Sequence, residues 1–176
     1  GEDATGTLYE ATAISAGRIH TCALLDNDGA QCWGFGGRGR LGQDDNVHYG
    51  KTSSTGETMA DLDAIYLGED ATGTLYEATA ITTGRTHTCA LLDNGEVKCW
   101  GRGNHGQLGQ DSNVNYGDTS DVSTGRTMAH LDAIYLGTHI VGGEVKSLKA
   151  TAITTGRAHT CALLNDGSVL NNGSVR

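Results

Sequence analysis

The sequence predicts an all-β fold assembled from repeated sheets that stack face to face. The first fourteen residues, Gly1 to Ile14, recur letter for letter from Gly68 to Ile81, an offset of 67. Short segments rich in β-branched and apolar residues alternate with Gly-containing turns, and no helical period competes with them. Glycine fills 27 of 176 positions and proline none. The glycines stand at fixed places inside the repeat, not in low-complexity runs, so they mark turns of a folded chain.

The same offset of 67 pairs Cys22 with Cys89, Trp33 with Trp100, Leu41 with Leu108 and Tyr49 with Tyr116. Near Ser53 the second copy gains two residues, because Met59 pairs with Met128 and Leu67 with Leu136 at an offset of 69. An insertion there marks a loop. A third copy opens at Gly137 with a different lead-in, THIVGGEVKSLK, and regains register at Ala150 to Ile153 and at Gly156 to Leu164. The repeats are therefore 1–67, 68–136 and an incomplete 137–176, together one partial domain.

Each copy reads as ATAI, then HTCALL, then VKCWG in its second-copy wording, with LDAIYL extended as well. Along HTCALL, Thr21, Ala23 and Leu25 face one side and Cys22 and Leu24 the other, so both faces are apolar. That pattern suits a strand covered on both sides, as in a β-propeller blade between two neighbours. In the turn Asp93-Asn94-Gly95, Asp and Asn favour a type I turn and Gly accepts the left-handed conformation. A three-residue loop centred on Asn94 sets Cys89 directly opposite Cys99, within reach of a disulfide.

Cys22 and Cys32 share that spacing of ten, centred on Asn27, but Gly has slipped to Gly29, so Asp28 takes the left-handed position or the loop lengthens. In the third copy Cys161 faces Asn171, and Asn172 replaces Trp, so Cys161 is expected to be a free thiol. Two pairs in phase point to disulfides and hence to a secreted, periplasmic or organelle-luminal compartment. Reduced, buried cysteines are the alternative. A four-cysteine zinc site is the third, and it lacks a C-x-x-C spacing.

The string from Ala80 to Gly109, A-I-x-x-G-R-x-H-T-C-A-L-L-D-N-G-x-V-K-C-W-G-x-G-x-x-G-Q-L-G, resembles the regulator-of-chromosome-condensation repeat. That family builds seven-bladed propellers. The resemblance implies that each copy forms most of one four-stranded blade, and that about two and a half repeats form part of such a ring, with further blades outside this chain. The departures are a longer segment after GQLG and a third copy that degrades after Val169. Family members include exchange factors for a small GTPase, β-lactamase inhibitors, ubiquitin-ligase accessory domains and photoreceptor components, and they bind through blade loops. The resemblance implies a non-enzymatic protein-interaction or scaffolding module, a peripheral part of a larger protein or multi-subunit assembly. An extracellular carbohydrate-binding or adhesion module is the rival reading, ahead of a hydrolase or an exchange factor.

With 21 acidic residues against 12 basic, the net charge of -9 opposes a nucleic-acid partner. No run of eighteen apolar residues is present to span a bilayer. His20, His87 and His159 hold one place in three copies, where a hydrogen bond to the next blade explains them better than a metal does. Arg18, Arg85 and Arg157 form either an anion cradle or, as the commoner case, ion pairs with the plentiful carboxylates. Trp33 and Trp100 are expected to pack in the core.

Asp111 to Asn115 begins like a calcium loop, but Tyr116 stands where Gly is required and no Glu follows at the twelfth position. Asn172-Gly173-Ser174 is a glycosylation sequon. The recurring polar residues read as scaffold, so no catalytic, cofactor or metal residue is assigned. Recognition is expected from the long connection Gln110 to Met128.

Overall fold

In a computed structural model, residues 9–27, 29–50, 58–59 and 62–173 are described. The alternating, doubly apolar HTCALL segment becomes the central strand of three antiparallel sheets. The first contains β1 (Ala11–Ala16), β2 (His20–Leu25) and β3 (Ala30–Gly34). The second contains β4 (Ala78–Thr83), β5 (His87–Leu92) and β6 (Val97–Gly101). A two-stranded hairpin of β7 (Thr138–Val141) and β8 (Glu144–Ser147) precedes the third, which contains β9 (Ala150–Thr155), β10 (His159–Leu164) and β11 (Val169–Gly173).

Register follows from the turns. Leu92 N–H donates to Glu96 O and Gly95 N–H to Leu92 O, both at 2.9 Å, with Gly95 at φ +78°. Alternation from the hydrogen-bonded pair Leu92–Glu96 leaves Cys89 opposite Cys99 at a non-hydrogen-bonded position, where antiparallel strands approach most closely. The two are joined as a disulfide across a Cα–Cα distance of 4.1 Å, and Cys22 and Cys32 likewise across 4.0 Å. Cys161 pairs in register with Asn171 and is a free thiol. The left-handed turn position at Asp28, the insertion near Ser53, the lead-in 1–8 and Ser174 of the sequon lie outside the described residues.

Burial shows how the sheets stack. All six residues of β5 are buried. Its Ala90 and Leu92 enter one cluster with Cys22, Leu24, Leu41 and Ile65 of the first repeat. Its Cys89 and Leu91 enter a second with Ala150, Ala162 and Leu164 of the third. In β10 only the residues facing the second sheet are buried, Thr160, Ala162 and Leu164, while Leu163 is 44% exposed. Each fully buried Leu contributes about 1.5–3 kcal/mol, so a sheet covered on one face forfeits much of its core. Along the inner edge, Ser15 Oγ meets Thr83 Oγ1 at 2.9 Å and Thr82 Oγ1 meets Thr155 Oγ1 at 2.8 Å, which sets β1, β4 and β9 side by side.

Two features depart from the four-stranded blade implied by the repeat. The fourth strand is reduced to single bridges, Gly34 with Tyr49 and Gly101 with Tyr116. In the first copy Asp45 accepts from Val47 N–H and from Tyr49 Oη–H, so a side chain takes a donor that a longer ladder would need. LDAIYL is extended but forms no strand. It lies against its own sheet through Ile65 N–H to Ala30 O at 2.9 Å and, in the second copy, Ile134 N–H to Val97 O at 2.8 Å, and it buries Leu62, Ile65 and Leu67.

Replacing Gly95 with Val forces a β-branched residue to φ +78° and sets its Cβ 2.9 Å from Lys149 Cβ. Denaturant unfolding should show a loss of about 1–3 kcal/mol. Intact mass without reductant should read two disulfides and one alkylatable thiol, and a fully reduced mass after native purification would contradict both pairings.

Candidate functional site

His20 and His87 open their central strands, and each reaches into the next blade. His20 Nε2 lies 2.9 Å from Thr88 Oγ1, and His87 Nε2 lies 3.1 Å from Thr160 Oγ1. Thr88 Oγ–H donates to Arg40 O at 2.8 Å, and Thr160 Oγ–H donates to Gln107 O at 2.9 Å. A hydroxyl has one proton to donate, so each threonine must accept from Nε2–H. Both imidazoles are therefore neutral Nε2–H tautomers, and their buried Nδ1 atoms have no partner. Burial takes the His20 pKa down to about 3, with the charges of Arg40 and His87 adding to the effect. Burial also takes His87 down to about 4, opposed in part by a hydrogen bond with the His159 backbone.

The histidine rings lie over the Gly-Arg turns of their own copies, and these turns touch from blade to blade. A Cβ on Gly84 would lie 2.3 Å from His87 Cε1 and 2.7 Å from Gly156 O, so only glycine fits. A Cβ on Gly17 would likewise meet Gly84 O at 2.5 Å. Contact between turns sets Arg18, Arg85 and Arg157 in a row. The segments leaving β3 and β6 reach the same end, because Phe35 N–H donates to Ile19 O and Arg102 N–H to Thr86 O. They bring Arg38, Arg40 and Arg102, so six of the chain's 12 lysines and arginines share one end of the blades.

Mutual repulsion registers there. The charges of Arg18 and then Arg157 are the main causes lowering the Arg85 pKa. Arg40 is 2% exposed, and its pKa is lowered to about 10, by burial first and then by Arg38 and Arg102. Its guanidinium carbon stands 4.8 Å from the centre of the Phe35 ring, while its Nε and Nη1, like Arg102 Nε, have no hydrogen-bond partner.

Among the described residues the ion pairs are Arg126–Asp118, Lys146–Glu144 and Lys149–Glu96, and none includes those six arginines. The carboxylate pairing expected for Arg18, Arg85 and Arg157 is thus corrected. Several carboxylates are engaged in local turns instead: Asp70 accepts from Thr72, Asp121 from Ser123 and Asp166 from Ser168, each through hydroxyl and backbone N–H. Those bonds, the hydroxyl first, hold all three carboxyls below their ordinary range.

Between the second and third sheets the arginines border a cavity of about 180 Å³, lined by Arg85, Arg102, Arg157, His105 and His159 with Thr86 and Ala158. A wider groove of about 600 Å³ runs over the three turns and shares Arg85 and Arg157 with it.

Residues 11–40 and 78–107 match the regulator of chromosome condensation (RCC1) repeat. The likeness to the RCC1 repeat thus falls on corresponding segments of the first two copies. Over 173 residues it is 28% identical to the ultraviolet-B receptor UVR8 of Arabidopsis thaliana, a match covering 98% of this chain and 31% of that protein. Human WBSCR16 superposes with a TM-score of 0.63 at 18% identity, covering 96% of this chain and 37% of that one. Prp20p of Saccharomyces cerevisiae superposes at 0.61 with 20% identity, covering 95% and 31%. The chain therefore spans about a third of each of these proteins. The fold is that of RCC1 β-propeller blades.

Within the RCC1 repeats the aromatic positions differ by neighbour. Trp100 is fully buried beside Leu41 of the preceding blade, whereas Trp33, in the first described blade, is half-buried. His159 lines the cavity. Asn115 accepts from Gly103 N–H and its counterpart His48 from Gly36 N–H, both at 3.2 Å, so Asn115 acts as a backbone acceptor within its loop. Among the described residues no three His, Cys, Asp or Glu converge as metal ligands.

The connection Gln110 to Met128 is partly a clamp. Asp44 of the first copy accepts from Met128 N–H at 2.6 Å, Asn46 Nδ2–H donates to Asp118 O at 2.8 Å, and Met128 is buried. Residue reading missed Arg40, Arg102 and His105. Their signal was the cluster GRGRLG and the Arg after CWG, which gain meaning only when all three are assigned to one end.

The neutral histidines give a pH dependence of defined sign. The unfolded chain protonates both near the ordinary value of 6.5, and the folded chain only at about 4 and about 3. Their contribution is complete above 6.5 and is lost as pH falls from there through those lower values. Urea midpoints between pH 7 and 4 should fall by the equivalent of about 3 kcal/mol per histidine. Replacing both with Gln, which keeps an N–H donor but does not titrate, should flatten the curve.

Proposed function

We propose that this chain is a non-enzymatic protein-interaction module whose partner docks on the arginine end of the blades. The observation that carries this reading is that six guanidiniums gather, with no ion pair to a carboxylate among the described residues, on a chain of net charge -9. Holding like charges together is costly, and a complementary partner offsets the cost. Two of the three recurring histidines that an enzyme would need for proton transfer, His20 and His87, are neutral, buried and tied to threonines. Related propellers support the class of function: yeast Prp20 is bound to Kap60 in one structure and binds Gsp1p and histones. The two disulfides favour an exported or luminal setting. No helix among the described residues is long and apolar enough to cross a membrane.

A photo-crosslinking side chain at Ile19, beside Arg18, tests this in the native source against the same group at Asp93, in the turn at the other end. Partner adducts should form from Ile19 and not from Asp93. Adducts confined to Asp93, or selective binding on a glycan array, would defeat the proposal.

A further inference from the structure

We propose that the cavity bordered by Arg85, Arg102 and Arg157 is an oxyanion subsite that receives carboxylates of an acidic peptide on the docking partner. This rests on the reading that the partner docks at the arginine end, and it adds the chemistry recognised there. Three guanidiniums from the facing ends of two blades line one cavity of about 180 Å³. Small-molecule sites run from roughly 300 Å³ upward, so the cavity suits one oxyanion group better than a cofactor. The guanidinium fork matches a carboxylate with two parallel hydrogen bonds, and Arg102 Nε is enclosed without any partner.

Behind this layer, the buried charge of Arg40 has no counter-ion among the described residues and adds positive potential toward Arg102. The groove of about 600 Å³ continues from Arg85 and Arg157 to Arg18, which gives an extended segment a path over the three Gly-Arg turns. A short acidic segment stays within this basic strip. A nucleic acid, whose charged backbone extends beyond it, meets the rest of a chain of net charge -9.

The test is fluorescence anisotropy of a labelled Glu/Asp peptide of about ten residues, with the full chain at about 50 mM NaCl where screening is modest. Binding should weaken at least about tenfold in Arg85→Gln/Arg157→Gln and in Arg102→Gln, with thermal midpoints near the parent's. It should not change in Arg126→Gln, whose guanidinium already pairs with Asp118. The Gln/Asn version of the peptide should not bind. No binding by the acidic peptide, equal binding by the Arg85 and Arg157 variant, or tighter binding of an oligodeoxynucleotide of the same length would each overturn the proposal. If Ile19 adducts form while the peptide does not bind, the carboxylate assignment falls and the docking face stands. If the peptide binds while adducts arise only from Asp93, the docking face falls instead.

Discussion

The hydroxyl of Thr88 has one proton, and it goes to the carbonyl of Arg40 in the preceding blade. Everything at that end of the molecule follows from this bond. It makes the hydroxyl an acceptor, which fixes the His20 tautomer, keeps the ring neutral and draws it across the blade interface. The ring in turn occupies the space beside Gly17, where a Cβ would lie 3.1 Å from Cε1, and the Gly-Arg turns of adjacent blades close into contact. His87 and Thr160 repeat the arrangement one blade on. One residue before each histidine's neighbour in the turn stands an arginine, so the bond that joins the blades also assembles their positive charge.

The stack is otherwise held by faces that no single sheet can cover alone. β5 is buried at every position because it has a blade on either side, whereas β10 reads as an alternation because one side is open. The disulfides lie within sheets, joining central to outer strand, and their sulfurs help fill the layer that meets the next blade. In the third copy that layer carries Leu163 and Val169 exposed, and there Asn171 stands where Cys stood. That polar replacement falls where a covering neighbour is missing among the described residues.

Much of this was legible because it is local. The hairpin centre, the register of Cys89 with Cys99 and the alternation along HTCALL depend on residues within a dozen positions of one another, and a turn with a defined loop length fixes them. The shortened fourth strand was not legible, since the competition of Asp45 for backbone donors in the first copy is a contact that strand spacing does not show. The β7–β8 hairpin, which turns at Gly142-Gly143, was not legible either, since it sits in a lead-in that no other copy repeats. The arginine end was the least legible part. Assigning Arg40 and Arg102 to the same end as Arg85 requires strand direction and blade contact together. The carboxylates pointed the other way by sheer number, because a count does not show that Asp70, Asp121 and Asp166 are occupied by their own turns.

That occupation shapes how the molecule meets another one. Carboxylates held in place by neighbouring hydroxyls and backbone amides stay charged and stay where they are, so the acidic surface and the arginine end form a fixed dipole. A dipolar body turns in the field of an approaching charge before contact. An acidic visitor is repelled along most approaches and drawn in along one, so the encounter is oriented at distances of about a Debye length. Recognition then begins as steering, and salt sets how far from the surface it starts.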